Sequence, residues 1–227
     1  MLNLRLRLLL ILIISNLTLL GVAVEKNELV YKKDNLTIHV VNKSILNLDV
    51  DAIVNPANES LRHLGGLCGI IHNAAGPKLE EECLKLPVFK YSGDPKTPQS
   101  ISEIRCLPGQ AKITKGYNLK AKNVIHAVGP DCRKEDQNKS RKKLLSDVYK
   151  NSIKCSEENK LKSVAFPAIS CGIFEYPIQE ATEVAVHSCL NNIESSSTIK
   201  DIYFVVISKE HFDIYKTILE AVLKIKN

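Results

Sequence analysis

Apolar runs of strand length alternate with stretches of helical period from residue 36 almost to the end of the chain. Segments 36–41, 52–55, 111–114, 124–128, 164–167 and 202–207 are short, rich in β-branched residues and apolar at consecutive positions, which predicts strands covered on both faces. Between them, 70–75, 78–86, 141–158, 178–192 and 212–224 repeat apolar residues at three- and four-residue spacing and predict helices. Such alternation predicts one α/β domain from about residue 25 onward: a three-layer α/β/α architecture on a mixed, mostly parallel central sheet. Two segments break the rhythm. Residues 87–105 carry Pro87, Pro95 and Pro98 among polar turn formers and read as a surface insertion, while 131–140 reads as a charged connection leading into a helix.

The first 24 residues form a different kind of segment. Arg5 and Arg7 precede an apolar run from Leu8 to Ile14 that resumes at Leu17, no acid intervenes, and Gly21 and Ala23 give a small-x-small pattern before Glu25. This predicts a secretory signal peptide or an uncleaved signal anchor, hence the secretory pathway or secretion, with membrane contact through this segment alone. Ser15 and Asn16 interrupt the run, which argues against a full span. A mitochondrial or intracellular location is the alternative.

Composition narrows the function classes. Absence of Trp and an aromatic content of 5% leave little for stacking on bases, and no Lys/Arg run exceeds Arg141–Lys142–Lys143, so a nucleic-acid partner is not expected. The formal net charge of +6 suits an anionic ligand without demanding one. Seven cysteines include no CxxC pair, which excludes a zinc ribbon and a disulfide-dense scaffold. Their odd number, and a glycosylation sequon at Asn58 inside a candidate ligand loop, fit export poorly.

Ligands of open parallel sheets sit outside the carboxyl ends of the strands. Two connections there have the right chemistry: Asn55 to Gly69 (NPANESLRHLGGLCG) and Ser170 to Tyr176 (SCGIFEY), each running from a buried strand toward a helix. Gly65, Gly66, Gly69 and Gly172 let backbone approach a ligand closely, and amide groups near a helix start bind phosphate without charged side chains. Asn55 reads either as a turn former or as a ligand contact; Asn58, three residues beyond the strand, either closes a turn or offers its amide to a sugar hydroxyl or a water.

The stretches DAIVNPANESL, GG…GIIHNAAGP, GQAKITKGYNLKAKNVIHAVGP and VAFPAISCGIFEYP, in this order and at this spacing, resemble the macro domain family, in particular its MacroD-type branch. The likeness spans about residues 36 to 224. It implies an ADP-ribose cleft and, in many members, hydrolysis of the bond between ADP-ribose and an acidic side chain, or deacetylation of O-acetyl-ADP-ribose, without metal or cofactor. Carried onto this chain, it implies that Ser44 and Ile45 meet adenine and that Asn58 and Phe174 meet the distal ribose. Gly65, Gly66, Leu67 and Gly69 with Ser170, Cys171, Gly172 and Ile173 would clasp the diphosphate. The expected partner is ADP-ribose or an ADP-ribosylated protein, and the expected state a monomer; a reader that binds without turnover is the alternative.

Several positions depart from that pattern. Cys68 stands where the branch carries an acid that helps activate water, and a thiol is a weak hydrogen-bond acceptor that stays protonated at neutral pH. Ser44 replaces an aspartate at the adenine end, so that contact loses charge assistance. Pro56, Leu64 and Glu175 are further differences. Asn58 is therefore the remaining catalytic candidate and Cys68 a doubtful one. An activated thiol drawing on His72 and Cys171 is the rival reading of Cys68.

Overall fold

The computed structural model describes residues 23–25, 27–92 and 102–224; nearly all of the apolar leader and the middle of the 87–105 segment lie outside them. Ten strands and six helices follow in order: β1 (Ala23–Glu25), β2 (Glu28–Lys33), β3 (Leu36–Asn42), β4 (Ala52–Pro56), α1 (Gly66–Ala75), α2 (Pro77–Lys85), β5 (Lys90–Ser92) and β6 (Ser102–Ile104). Then come β7 (Ala111–Lys115), β8 (Asn123–Ala127), α3 (Glu135–Lys139), α4 (Arg141–Glu158), β9 (Ser163–Pro167), α5 (Ile178–Asn192), β10 (Asp201–Val206) and α6 (Lys209–Val222).

Eight strands make one sheet in the order β1-β2-β3-β10-β9-β4-β8-β7. Pairing is parallel from β3 through β8 and antiparallel at the two edges, where β1, β2 and β7 join. The inner strands are dry on both faces because successive side chains enter different cores. Ala52, Val54, Ile125, Val164, Phe166, Ile202 and Phe204 pack with Leu145, Val148 and Tyr149 of α4, Ala185 and Cys189 of α5, and Tyr215 and Leu219 of α6. Ile53, Val124, Ala165 and Val205 pack the other way, with Ile71 and Ala75 of α1 and Leu79 and Cys83 of α2. The expected three layers are therefore present, and among the described residues no helix is long and apolar enough to cross a membrane.

The 87–105 segment ends in the interior. Its described parts pair as the antiparallel ribbon β5–β6, and Arg105 is only 5% exposed, donating to the Leu84 carbonyl and pairing with Glu103. The backbone N–H groups of Arg105 and Cys106 both donate to the Glu59 carbonyl, at 2.9 and 3.0 Å, so this segment anchors the loop that follows β4. The charged connection before α4 contains the short helix α3.

Candidate ligand cleft at the carboxyl ends of β4, β8 and β9

β4 and β9 are partners only at Ala52–Val164 and Ile53–Ala165, although β4 continues to Pro56 and β9 to Pro167. Beyond Ile53 the two strands part, while β4 stays paired with β8 through Pro56–Ala127. The loops leaving β4 and β9 flank the crevice so created. They also meet across it: Ile173 Cδ1 lies 3.5 Å from where a Cβ on Gly66 would be and 4.0 Å from one on Gly65. Gly65, Gly66, Gly172 and Ile173 are solvent-exposed and Leu67 is half-buried.

Both loops turn through backbone that L-residues rarely adopt. Leu61, Ser170 and Glu175 have φ of 58°, 66° and 56°, and Gly66, opening α1 behind Gly65, has 64°. Leu61 holds that conformation because its side chain is fully buried in the α1–α2 core. Strained residues of this kind concentrate at functional loops, where surrounding packing fixes them. Gly69 permits a close approach of another sort: a Cβ there would sit 2.2 Å from the Leu64 carbonyl oxygen.

A third loop completes the wall. A Cβ on Gly129, just after β8, would lie 2.1 Å from Ser170 Oγ, and the Cys132 N–H donates to the Phe174 carbonyl at 2.9 Å. The Arg133 guanidinium stands 5.6 Å from the centre of the half-buried Phe174 ring while Asp131, 4% exposed, holds it through Nε and Nη2 at 2.8 Å each. Sequence reasoning placed no site residue in this loop. The signal available was Gly129-Pro130 directly behind a buried parallel strand.

The asparagines divide. Asn55 is fully buried beneath the first loop; its Nδ2 meets His126 Nδ1 at 3.1 Å and Cys68 Sγ at 3.6 Å, and its Oδ1 has no protein partner. It therefore supports the loop from below and has no exposed surface of its own. Asn58 is half-buried and its amide is spent locally: Nδ2 donates to the Arg62 carbonyl at 2.6 Å, and Oδ1 accepts from Ser60 Oγ at 2.6 Å and from the N–H groups of Ser60 and Arg62. A ribose hydroxyl would have to displace part of that turn. Where the resemblance led adenine to be expected, Ser44 is exposed and precedes the 3₁₀ turn of Ile45–Asn47, with Ile45 buried. β3 and β10 are neighbours, paired through Asn42–Val206, so 85%-exposed Ile207 leaves the sheet beside the β3 loop.

The thiols are quiet. Cys68 is 5% exposed, points to Asn55 and to the Arg62 carbonyl, and has its pKa raised by burial. Burial also pushes Cys171 up to about 12, with its Sγ on the Ile169 carbonyl. His72 is neutral by burial, and neither of its ring nitrogens has a protein partner. No hydrogen bond joins His72 to either thiol, and burial disfavours the cation of the one and the anions of the other, which argues against the activated-thiol reading. His72, Cys83 and His126 bring three potential ligand atoms within 4.8 Å of one another. Both His126 nitrogens are already engaged, Nδ1 with Asn55 and Nε2 with Thr114 Oγ1 at 2.9 Å, and burial pushes the Cys83 thiol to about 12. His126 and Cys83 thus belong to a core hydrogen-bond system with Asn55 and Thr114, and His72 lies beside it without joining it.

Residues 54–185 match the family model described as the Macro domain. The chain belongs to the macro domain family. The O-acetyl-ADP-ribose deacetylase of Escherichia coli K12 is 42% identical over 182 residues, covering 80% of this chain and 94% of its own. Among solved structures, the Oceanobacillus iheyensis macrodomain with ADP superposes with a TM-score of 0.75 at 27% identity, covering 87% of this chain and 97% of that chain. The Trypanosoma brucei macrodomain in complex with ADP-ribose does so with 0.67 at 28% identity, covering 80% and 68%.

Proposed function

We propose that this macro domain binds ADP-ribose and removes acyl groups from it slowly. The diphosphate would lie in the crevice between β4 and β9, held by backbone N–H groups of Gly65–Gly69 and Ser170–Phe174, with adenine toward Ser44, Ile45 and Ile207 and the distal ribose toward Asn58 and Phe174. The observation that carries this reading is the parting of β4 from β9 beyond Ile53, with glycine backbone and Ile173 facing each other across the gap. Two glycines with no side chain to fill the crevice, and Ser170 Oγ buried there without a protein partner, support an anion of diphosphate size. The relatives named as O-acetyl-ADP-ribose deacetylases support the acyl-ester substrate class. Slowness follows from Cys68: positioned acid–base help contributes about 10²- to 10⁴-fold, and a buried thiol does not supply it.

Titration calorimetry of the full chain with ADP-ribose, AMP and ribose-5-phosphate tests the binding. ADP-ribose should bind at least about tenfold tighter than either half, since only it spans adenine, diphosphate and distal ribose; no heat with ADP-ribose would end the proposal. A reader that binds without turnover is the second reading, favoured by the Asn58 amide being spent within its own loop. Failure to release acetate from O-acetyl-ADP-ribose with binding intact would select it. We further propose a monomer that handles no nucleic acid and touches membrane only through its N-terminal residues; sedimentation and fractionation of cells expressing the full chain test these points.

A further inference from the structure

The loop from Ser170 to Tyr176 keeps three consecutive donors uncommitted. Among the described residues the N–H groups of Gly172, Ile173 and Phe174 reach no acceptor, while their neighbours are spent locally. Cys171 N–H goes to the Ala168 carbonyl at 3.3 Å, Glu175 N–H to Gly172 at 2.9 Å and Tyr176 N–H to Ser170 at 3.0 Å. Successive free amides bind an anion only while the backbone keeps its bend. Here the bend is strained at both ends, with Ser170 and Glu175 at φ of 66° and 56°, conformations that L-residues hold under restraint from their surroundings.

Tyr176 closes the loop and carries that restraint. It is 2% exposed, packed in the core beneath α4, α5 and α6, and its hydroxyl donates to Glu180 Oε1 at 3.0 Å. Glu180 lies in the first turn of α5, where the helix dipole favours a carboxylate, and it is gripped from α4. Arg141 donates through Nε to both carboxylate oxygens at 3.2 Å and through Nη2 to Oε2 at 2.8 Å, and its guanidinium stands 5.7 Å from the centre of the Tyr176 ring. Its Nη1 donates to Asn138 Oδ1 at 2.7 Å, which fixes the guanidinium from the other side. The Arg141 hydrogen bond holds the Glu180 carboxyl below its usual range, and an ionised carboxylate only accepts. Burial, with Glu180 beside it, pushes the Tyr176 phenol up, so the hydroxyl keeps its proton and its direction.

We propose that Glu180 and Arg141 are positioning residues for the diphosphate loop, acting through Tyr176 to hold the free N–H groups of Gly172, Ile173 and Phe174 as a ready-made anion nest. This rests on the ADP-ribose reading above and extends it to side chains that are not among the ligand contacts. Their contribution is an ordering cost that the loop does not meet on binding. Since the diphosphate is held alike in substrate and transition state, the clamp acts on KM and leaves kcat alone.

The test uses the full chain with Tyr176→Phe, which removes only the hydroxyl and keeps the buried ring, with Glu180→Gln, and with both together. Loss of a hydrogen bond to a charged group in the clamp should weaken ADP-ribose binding about tenfold in each single variant by calorimetry. The double variant should lose no more than the worse single one, because both act through one link. With O-acetyl-ADP-ribose, KM should rise in parallel while kcat stays within about twofold, a split that general loosening of the fold would not give. In the ligand-free chain, the Glu175 and Tyr176 amides should exchange faster in either variant. Unchanged ADP-ribose affinity in Tyr176→Phe, losses that multiply in the double variant, or a fall in kcat at constant KM overturns the assignment and leaves the binding proposal standing. If the wild-type chain binds without turnover, calorimetry alone decides by the same criteria. No ADP-ribose binding by the wild-type chain overturns both.

Discussion

Burial keeps His126 neutral, at about 3 instead of the ordinary 6.5, and the neutral ring accepts from Asn55 on one side and bonds Thr114 on the other. Protonating it would put an uncompensated charge beneath the ligand loop, against a neighbour, His72, that is itself held neutral by burial. Unfolded, the same imidazole takes a proton below about 6.5, so between that value and about 3 the unfolded chain binds more protons than the folded one. Stability from this group is complete above 6.5 and is lost as pH falls toward 3, at up to about 1.4 kcal/mol per pH unit. Urea midpoints at pH 7 and pH 5 should show the loss, and His126→Gln should flatten the slope while lowering stability at pH 7. A slope unchanged in the variant would place the titration elsewhere. Cys68 makes a second residue-scale case. A thiol whose anion is disfavoured by burial should be alkylated by iodoacetamide at less than about a tenth of the rate seen in the denatured chain, with the modified site read by peptide mass mapping.

At the scale of elements, three connections set the cleft, and the contact of Gly129 with Ser170 is the tightest between them. A methyl group there would meet Ser170 Oγ at 2.1 Å and Ile169 Cγ2 at 2.8 Å, so the side chains of the loop after β9 must shift at the wall of the crevice. Gly129→Ala should lower ADP-ribose affinity by about tenfold or more and destabilise the fold by about 1–3 kcal/mol, as overpacking commonly does. Equal affinity in the variant would mean that the β8 loop does not brace the β9 loop. Much of this scale was legible beforehand. The five parallel inner strands β3, β4, β8, β9 and β10 were readable because strands dry on both faces write continuous apolar runs, and α4 and α5 because their periods are long; the half-buried edge strand β7 was read from its apolar run as well. β2 was not, since ELVYKK ends in solvent-facing lysines as edge strands do. The start of α1 was missed because glycines at 66 and 69 mask a helical period. α6 begins earlier than periodicity suggested because Ser208 caps it, accepting from His211 N–H. Of the site, the loops could be located from composition. The inward turn of Cys68 and the local spending of the Asn58 amide are tertiary outcomes that no residue pattern records.

For the molecule as a whole, the crevice opens at the carboxyl ends of the central strands β4 and β9, whose opposite faces enter the two cores that α1–α2 and α4–α6 complete. Ligand loops therefore hang from strands that need no ligand to form, and binding should add stability without reshaping the fold. A ligand present at about a hundred times its Kd stabilises the native state by about 2.7 kcal/mol when only that state binds it. For a domain of this size each kcal/mol moves Tm by about 2–4 °C, so saturating ADP-ribose should raise Tm by about 5–11 °C. AMP at the same concentration should raise it far less, because Ser44 offers adenine an uncharged acceptor and the diphosphate loops would be half engaged. The Gly129→Ala chain should melt lower and respond less to ADP-ribose, since the same crevice is disturbed. An equal rise with AMP would move the binding energy from the crevice between β4 and β9 to the adenine end beside β3 and β10.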